Sequence, residues 1–170
     1  MFNRMTAAIL GFLVCPASLF AQEGRSTIAI LESLAATAAL ERAVGSVTPN
    51  LRIVIDPMIV RANEAPGGRD SIPREATRNG NLAQAFGARV ASRSSVIDCR
   101  ARPCSLRDAD VLVTLSQPQT VRGDAKVDAK VTVTTVQQTK RGTQYKTVNV
   151  LMKKSGSGWT VVGFEDLGIS

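Results

Sequence analysis

The chain has 170 residues, with 21 Lys and Arg against 14 Asp and Glu, a formal net charge of +7, and no histidine. The length suits one domain with a hydrophobic core. The missing histidine excludes the commonest general acid–base group and the commonest nitrogen ligand of zinc. An aromatic content of 4% leaves few rings on which nucleic-acid bases could stack.

Residues 1–21 have the three-part layout of a signal peptide: one early charge at Arg4, an apolar run from Ala7 to Cys15, and a short segment ending on the small residue Ala21. The reading is cleavage after Ala21 and export, to the periplasm or as a secreted protein, with 22–170 as a single domain. The apolar run is too short to span a bilayer, and no later stretch is apolar enough to do so. An uncleaved anchor or a buried N-terminal helix is the alternative. Cys15 raises lipidation, but Val14 stands where acylated cysteines usually follow a small residue.

"STIAILESLAATAALERAVG", residues 26–45, predicts a helix, capped at Ser26 or Thr27 and stopped at Gly45. Its apolar stripe runs through Ile28, Leu31, Leu34 or Ala35, Ala38 and Ala39. "LRIVIDPMIV", 51–60, is β-branched. Pro57 cannot donate to a sheet ladder, so a short edge strand or an extended segment ending near Asp56 is expected. Pro66-Gly67-Gly68 marks a loop across 61–73. Ser71 is a candidate cap and Pro73 a first-turn residue for a helix that Asn79-Gly80 interrupts, with a second short helix from Asn81 to Phe86 ending at Gly87.

Strand-like sequence from Ala88 leads into "VIDCRARPCSLRD", 96–108. An exported protein meets an oxidising compartment, and Cys99 and Cys104 are then the two cysteines left, the arithmetic of one disulfide. Pro103 bends the four-residue link between them. A redox pair would normally be spaced Cys-x-x-Cys, and a metal would need two further ligands. The expectation is a structural staple, with no cofactor and no metal. Eight arginines fall between Arg69 and Arg107 against three carboxylates. Arg89, Arg93, Arg100, Arg102 and Arg107 form the candidate anion-binding surface.

The last third alternates. "ADVLVTLSQ" is β-rich. In "AKVDAKVTVTTVQQ", Val127, Ala129, Val131 and Val133 share one face, and Lys126, Asp128, Lys130, Thr132 and Thr134 the other. "KRG" at 140–142 and "SGSG" at 155–158 supply turns around "QYKTVNVLMKK", predicting an antiparallel meander. The closing "WTVVGFEDL" is apolar on both sides and is expected inside the sheet or under a helix. The fold class is α+β: N-terminal helices packed on a C-terminal antiparallel meander.

The closing hairpin "YKTVNVLMKKSGSGWTVVGFE" resembles that of nuclear transport factor 2-like proteins, many of them exported. The resemblance implies a curved, cone-like sheet around an apolar pocket, and often a homodimer. Some relatives are enzymes with an Asp or His acid–base group, but no catalytic position carries over to this chain.

Asp108 with Asp110 reads as solvent-facing at a strand start, and the adjacent Glu165 and Asp166 would face opposite sides of a strand. Neither is a catalytic dyad, and the serines lack a base partner. No catalytic residue is assigned. Two functional readings follow. The first is a non-enzymatic binding module of the cell envelope, whose partner is an anionic envelope component or a small apolar ligand. The second is a small cone-fold enzyme using a buried carboxylate, or else a structural envelope component. Nucleic acid is not an expected partner, because no reading motif accompanies the arginines.

Overall fold

The computed structural model describes residues 17–45, 50–60 and 72–169. The run Ala7–Cys15, the 61–71 loop and Ser71 lie outside the described residues. Helix α1 (Ala17–Val44) crosses one face of the sheet. It begins nine residues before the expected Ser26 cap: no proline falls between Ala17 and Thr27, and Gly24 costs only about 1 kcal/mol inside a helix. Leu31, Ala35 and Ala39 are buried, as are Glu32, Ala36 and Leu40 on the adjoining stripe.

Strand β1 (Ile53–Val60) and the two-residue β2 (Ile72–Pro73) are followed by α2 (Ala76–Phe86), β3 (Arg89–Val90), the one-turn α3 (Arg93–Val96), β4 (Ile97–Asp98) and β5 (Ser105–Leu106). Then come β6 (Val111–Ser116), β7 (Gln119–Thr120), β8 (Ala129–Thr139), β9 (Gly142–Ser155) and β10 (Gly158–Ile169). The main sheet runs in the order β10-β9-β8-β6-β1-β2. The architecture is α+β, mostly antiparallel, and the sheet is not closed into a barrel. The meander β6-β8-β9-β10 forms as expected.

Three expectations are corrected, and a fourth is decided between its two alternatives. β1 does not stop near Asp56: it runs through Pro57 inside the sheet, parallel to β6, and a register shift between Ile55 and Ile59 absorbs the missing donor. Pro57 still accepts from the Arg74 N–H (2.7 Å). α2 is continuous through Asn79-Gly80. Asn79 is buried with its amide on Arg74, so it serves a side-chain network and makes no turn. Gly87, at φ 59°, takes the left-handed conformation that ends this helix. The segment from Ala88 is not one strand but β3, α3 and β4. Of the two places expected for the closing strand, β10 takes the one under a helix, at the edge of the sheet. A register shift between Val161 and Gly163 breaks its alternation, so Trp159, Val161 and Phe164 pack under α1 while Val162 and Leu167 are exposed.

The main core lies between α1 and the near face of the sheet, through Ile53, Ile55, Val111, Val113, Val131, Val133, Val148 and Val150. Ala129, Val131 and Val133 thus take the dry face that alternation predicts. A smaller core sits on the far face, where Val96, Leu106 and Ala109 cover Val54, Leu112 and Val136. No helix among the described residues is long and apolar enough to cross a membrane.

Candidate functional site

The Cys99–Cys104 disulfide is formed, with the sulfurs 2.08 Å and the Cα atoms 4.3 Å apart. It closes the turn between β4 and β5, which pair through Ile97 with Leu106 and Asp98 with Ser105. This corner is docked on the β8–β9 turn. The Leu106 N–H donates to Gln138 Oε1 (2.7 Å). Gly142 has φ 114°, and a Cβ built there would lie 2.5 Å from Pro103 Cβ. Only glycine therefore lets the two turns touch.

Docking brings Arg100 and Arg102 to the same end as Lys140 and Arg141, which line an open depression of about 440 Å³ with Thr139, Thr143 and Gln144. Arg89 joins them by donating to the Arg107 carbonyl (3.1 Å), and Arg107 reaches Asp98 (2.8 Å). The Arg100 backbone N–H donates to the same Asp98 (3.0 Å). Those hydrogen bonds hold the Asp98 carboxyl below its ordinary range, the Arg100 N–H first and Arg107 next. Among the described residues no carboxylate lies within 4 Å of Arg100, Arg102, Lys140 or Arg141. Arg100 and Arg102 thus lie in the disulfide corner, Arg107 and Arg89 bond to it, and the corner packs on the turn that carries Lys140 and Arg141.

Arg93 goes elsewhere. It is half-buried, with its guanidinium 5.2 Å from the Tyr145 ring centre, on the far face near Asp56. Asp56 is 4% exposed. Burial pushes its carboxyl above the ordinary range, opposed by the Met58 N–H on Oδ1 (3.1 Å) and by Arg74 and Arg93. Ile55 pairs with Val113, so Asp56 stands beside Thr114 on the face away from α1. The row continues to Thr134 and Thr147, whose hydroxyls are 3.1 Å apart. In the next row Thr132 donates to Asn149 (2.7 Å), and Asn149 to Glu165 (3.0 Å). Half of the far face is therefore a hydrogen-bonding floor.

A second buried polar group joins the two helices. Glu32 and Arg74 are each 0% exposed in their side chains, and Arg78 is 15% exposed. Both Glu32 oxygens accept from Arg78, with Arg78 Nε at 3.0 Å. Arg74 Nε lies 3.5 Å from Glu32 Oε1, and Arg74 Nη1 donates to the Asp56 carbonyl (2.8 Å) and to Asn79 Oδ1 (2.9 Å). Burial pulls Arg74 below the ordinary arginine range, with Glu32 opposing. Sequence reasoning missed this group and Asp56. The available signal was Glu32, four residues before Ala36 and eight before Leu40, which puts an acid inside an apolar stripe.

A cleft of about 520 Å³ lies between α1, β7 and the β9–β10 hairpin. Ile28, Leu31, Ala129 and Trp159 supply its apolar walls, with Asp128 and Lys154 among its polar groups. That volume falls in the range of small-molecule sites. Glu165 and Asp166 do face opposite sides: Glu165 meets Asn149 and Asp166 meets Arg42 (2.7 Å). Asp110 is bidentate on Arg52, and that contact holds its carboxyl below the ordinary range. Among the described residues no group of three or more acids and cysteines is placed to hold a metal. Compared with protein-family models, curated proteins and solved structures, the chain matches none.

Proposed function

We propose that this protein is an exported, non-enzymatic binding module of the cell envelope, and that its basic end takes an anionic envelope component, the phosphate-bearing headgroups of a lipid surface. One observation carries the reading. The disulfide corner and the β8–β9 turn, 40 residues apart in sequence, are packed together so that Arg100, Arg102, Lys140 and Arg141 share one end. Clustered cations raise the local concentration of anions and speed encounter with them. The layout of residues 1–21 and the disulfide support export.

The test is co-sedimentation with vesicles of phosphatidylglycerol and of phosphatidylcholine. Binding to the anionic vesicles alone is expected, and it should weaken between about 0.05 and 0.3 M salt as screening grows. The Arg100→Gln, Arg102→Gln, Lys140→Gln, Arg141→Gln variant should lose it. Equal binding to both vesicles, or no binding, overturns the proposal. Native mass spectrometry of the protein expressed with its own N-terminus checks cleavage after Ala21 and the homodimer together.

A second reading, a small apolar ligand, is favoured by the Trp159 cleft. It would be the counterpart of the apolar pocket in nuclear transport factor 2-like proteins. Trp159 is the single tryptophan, so a saturable change in its fluorescence on adding an apolar ligand tests that reading. The enzyme alternative rests on Asp56, a buried carboxyl shifted upward.

A further inference from the structure

The cleft beside Trp159 has apolar walls, yet an acid and a base line it as well. Trp159 pairs directly with Lys154 across the β9–β10 hairpin, and Trp159 packs on the α1 side of the sheet. Residues paired in this way share a face, so the Lys154 side chain leaves the sheet beside the ring. Asp128 is pinned next to them, just before β8. Its N–H donates to the Met152 carbonyl (2.9 Å), its carbonyl accepts from the Val121 N–H (3.0 Å), and its Oδ2 accepts the Lys154 backbone N–H (2.8 Å).

That last bond sets the two charged residues side by side without joining their charges. Among the described residues, no carboxylate lies within 4 Å of the Lys154 ammonium and no cation within 4 Å of the Asp128 carboxylate. Neighbouring charges are committed elsewhere. Lys153 donates to the Ala125 carbonyl, and Asp124 accepts the Lys126 N–H (2.7 Å). Asp128 is half-buried and Lys154 is exposed, so the pair marks the mouth of the cleft. A ligand head with a single charge would meet its like at one of the two. A head with both charges would meet an opposite at each.

We propose that the Trp159 cleft binds a single-chain amphiphile with a zwitterionic head: one acyl chain joined to a phosphate and an amine. The proposal rests on the apolar-ligand reading of this cleft and adds the head. The chain would lie on Ile28, Leu31, Ala129 and Trp159. The phosphate would accept from the Lys154 ammonium, and the amine would donate to Asp128 Oδ1, the oxygen that the Lys154 N–H does not use. Apolar burial supplies the affinity, and the two charges fix the orientation. A cleft of about 520 Å³ is a small-molecule volume, which favours one chain over two. The site is separate from the basic end, since the 14 residues of β9 put roughly 40 Å of strand between the two.

The test is Trp159 emission of the folded protein, titrated with three amphiphiles of one chain length below their micelle concentrations. They are lysophosphatidylethanolamine (zwitterionic), lysophosphatidylglycerol (anionic) and a monoacylglycerol (neutral). Saturable binding of all three is expected, tightest for lysophosphatidylethanolamine. Lys154→Gln should weaken that binding about threefold, the worth of an exposed ion pair. Asp128→Asn should weaken it about tenfold, the worth of a hydrogen bond to a charged group, and it keeps an acceptor for the Lys154 N–H. Neither change should alter binding of the monoacylglycerol. If none of the three saturates, the apolar reading of the cleft fails and the proposal fails with it. If the neutral or the anionic amphiphile binds as tightly as the zwitterion, the cleft reading stands and the zwitterionic head is overturned. Zwitterion binding unchanged in Lys154→Gln overturns it too, and that exposed change decides the matter if Asp128→Asn does not fold.

Discussion

Glu32→Ala removes the one carboxylate among the described residues that lies within 4 Å of both Arg74 and Arg78. With Glu32 and Arg74 at 0% side-chain exposure, water cannot replace what is lost at Arg74, although Arg78 at 15% is partly reached. Breaking a buried ion pair on one side costs about 3–5 kcal/mol, and the partial exposure of Arg78 puts this case at about 3 kcal/mol. With a urea slope of about 2 kcal/mol/M, the unfolding midpoint should fall by about 1.5 M. Glu32→Gln keeps an acceptor and should cost less. Asp166→Asn breaks an ion pair whose side chains are 37% and 54% exposed. It should cost about 0.5 kcal/mol or less. Replacing the group together, as Glu32→Leu, Arg74→Met and Arg78→Leu, leaves no unpaired charge but strands the Asp56 carbonyl and Asn79 Oδ1 that Arg74 serves, and should cost about 1–3 kcal/mol. Equilibrium urea unfolding followed by Trp159 emission measures all four. If Glu32→Ala costs no more than Asp166→Asn, the buried-pair reasoning fails.

Three further outcomes are expected. Gly142→Ala must hold φ 114° and push Pro103 away. A loss of about 2–3 kcal/mol follows from the strained backbone and the clash, and a melting temperature within a degree of the parent would contradict it. Asp56 has a raised carboxyl pKa in the folded state, so the folded protein binds protons more tightly and loses stability as pH rises from the unfolded value through the folded one. Asp56→Asn should therefore gain on the parent as pH goes from about 4 to 7, and parallel stability curves would refute that. The four-residue loop of Cys99–Cys104 predicts a loss of about 2 kcal/mol on changing both cysteines to serine. Two alkylatable thiols in the exported, unreduced protein would remove the premise of that last expectation.

Alternation along 126–138 was enough to place Val131 and Val133 in the core and Thr132 and Thr134 on the opposite face, because the period of a strand is two whatever it pairs with. The turn residues at 140–142 and 155–158 marked the meander for an equally local reason. The cysteine count and the short link predicted the disulfide. Where local rules competed with packing, they lost. Asn79-Gly80 has turn chemistry, yet Asn79 stays helical because its amide satisfies Arg74 in the interior. Pro57 argued for an edge, yet the register shift lets β1 lie beside β6.

The arginine cluster shows the same division. Composition identified eight arginines in one stretch, but their fates depend on which element each occupies. Arg74 and Arg78 turn inward to Glu32 on a helix more than 40 residues earlier. Arg93 turns toward the far face, and the corner that carries Arg100 and Arg102 meets the turn that carries Lys140 and Arg141 because Pro103 rests on Gly142. The sequence by itself determined periodicity, turns, charge balance and the cysteine arithmetic, all of them short-range properties of a chain. Tertiary structure alone decided which charges are buried together, which donors are left without partners and which basic residues share one end. Those outcomes depend on contacts between distant segments, whose energies arise from desolvation and packing that no single segment carries.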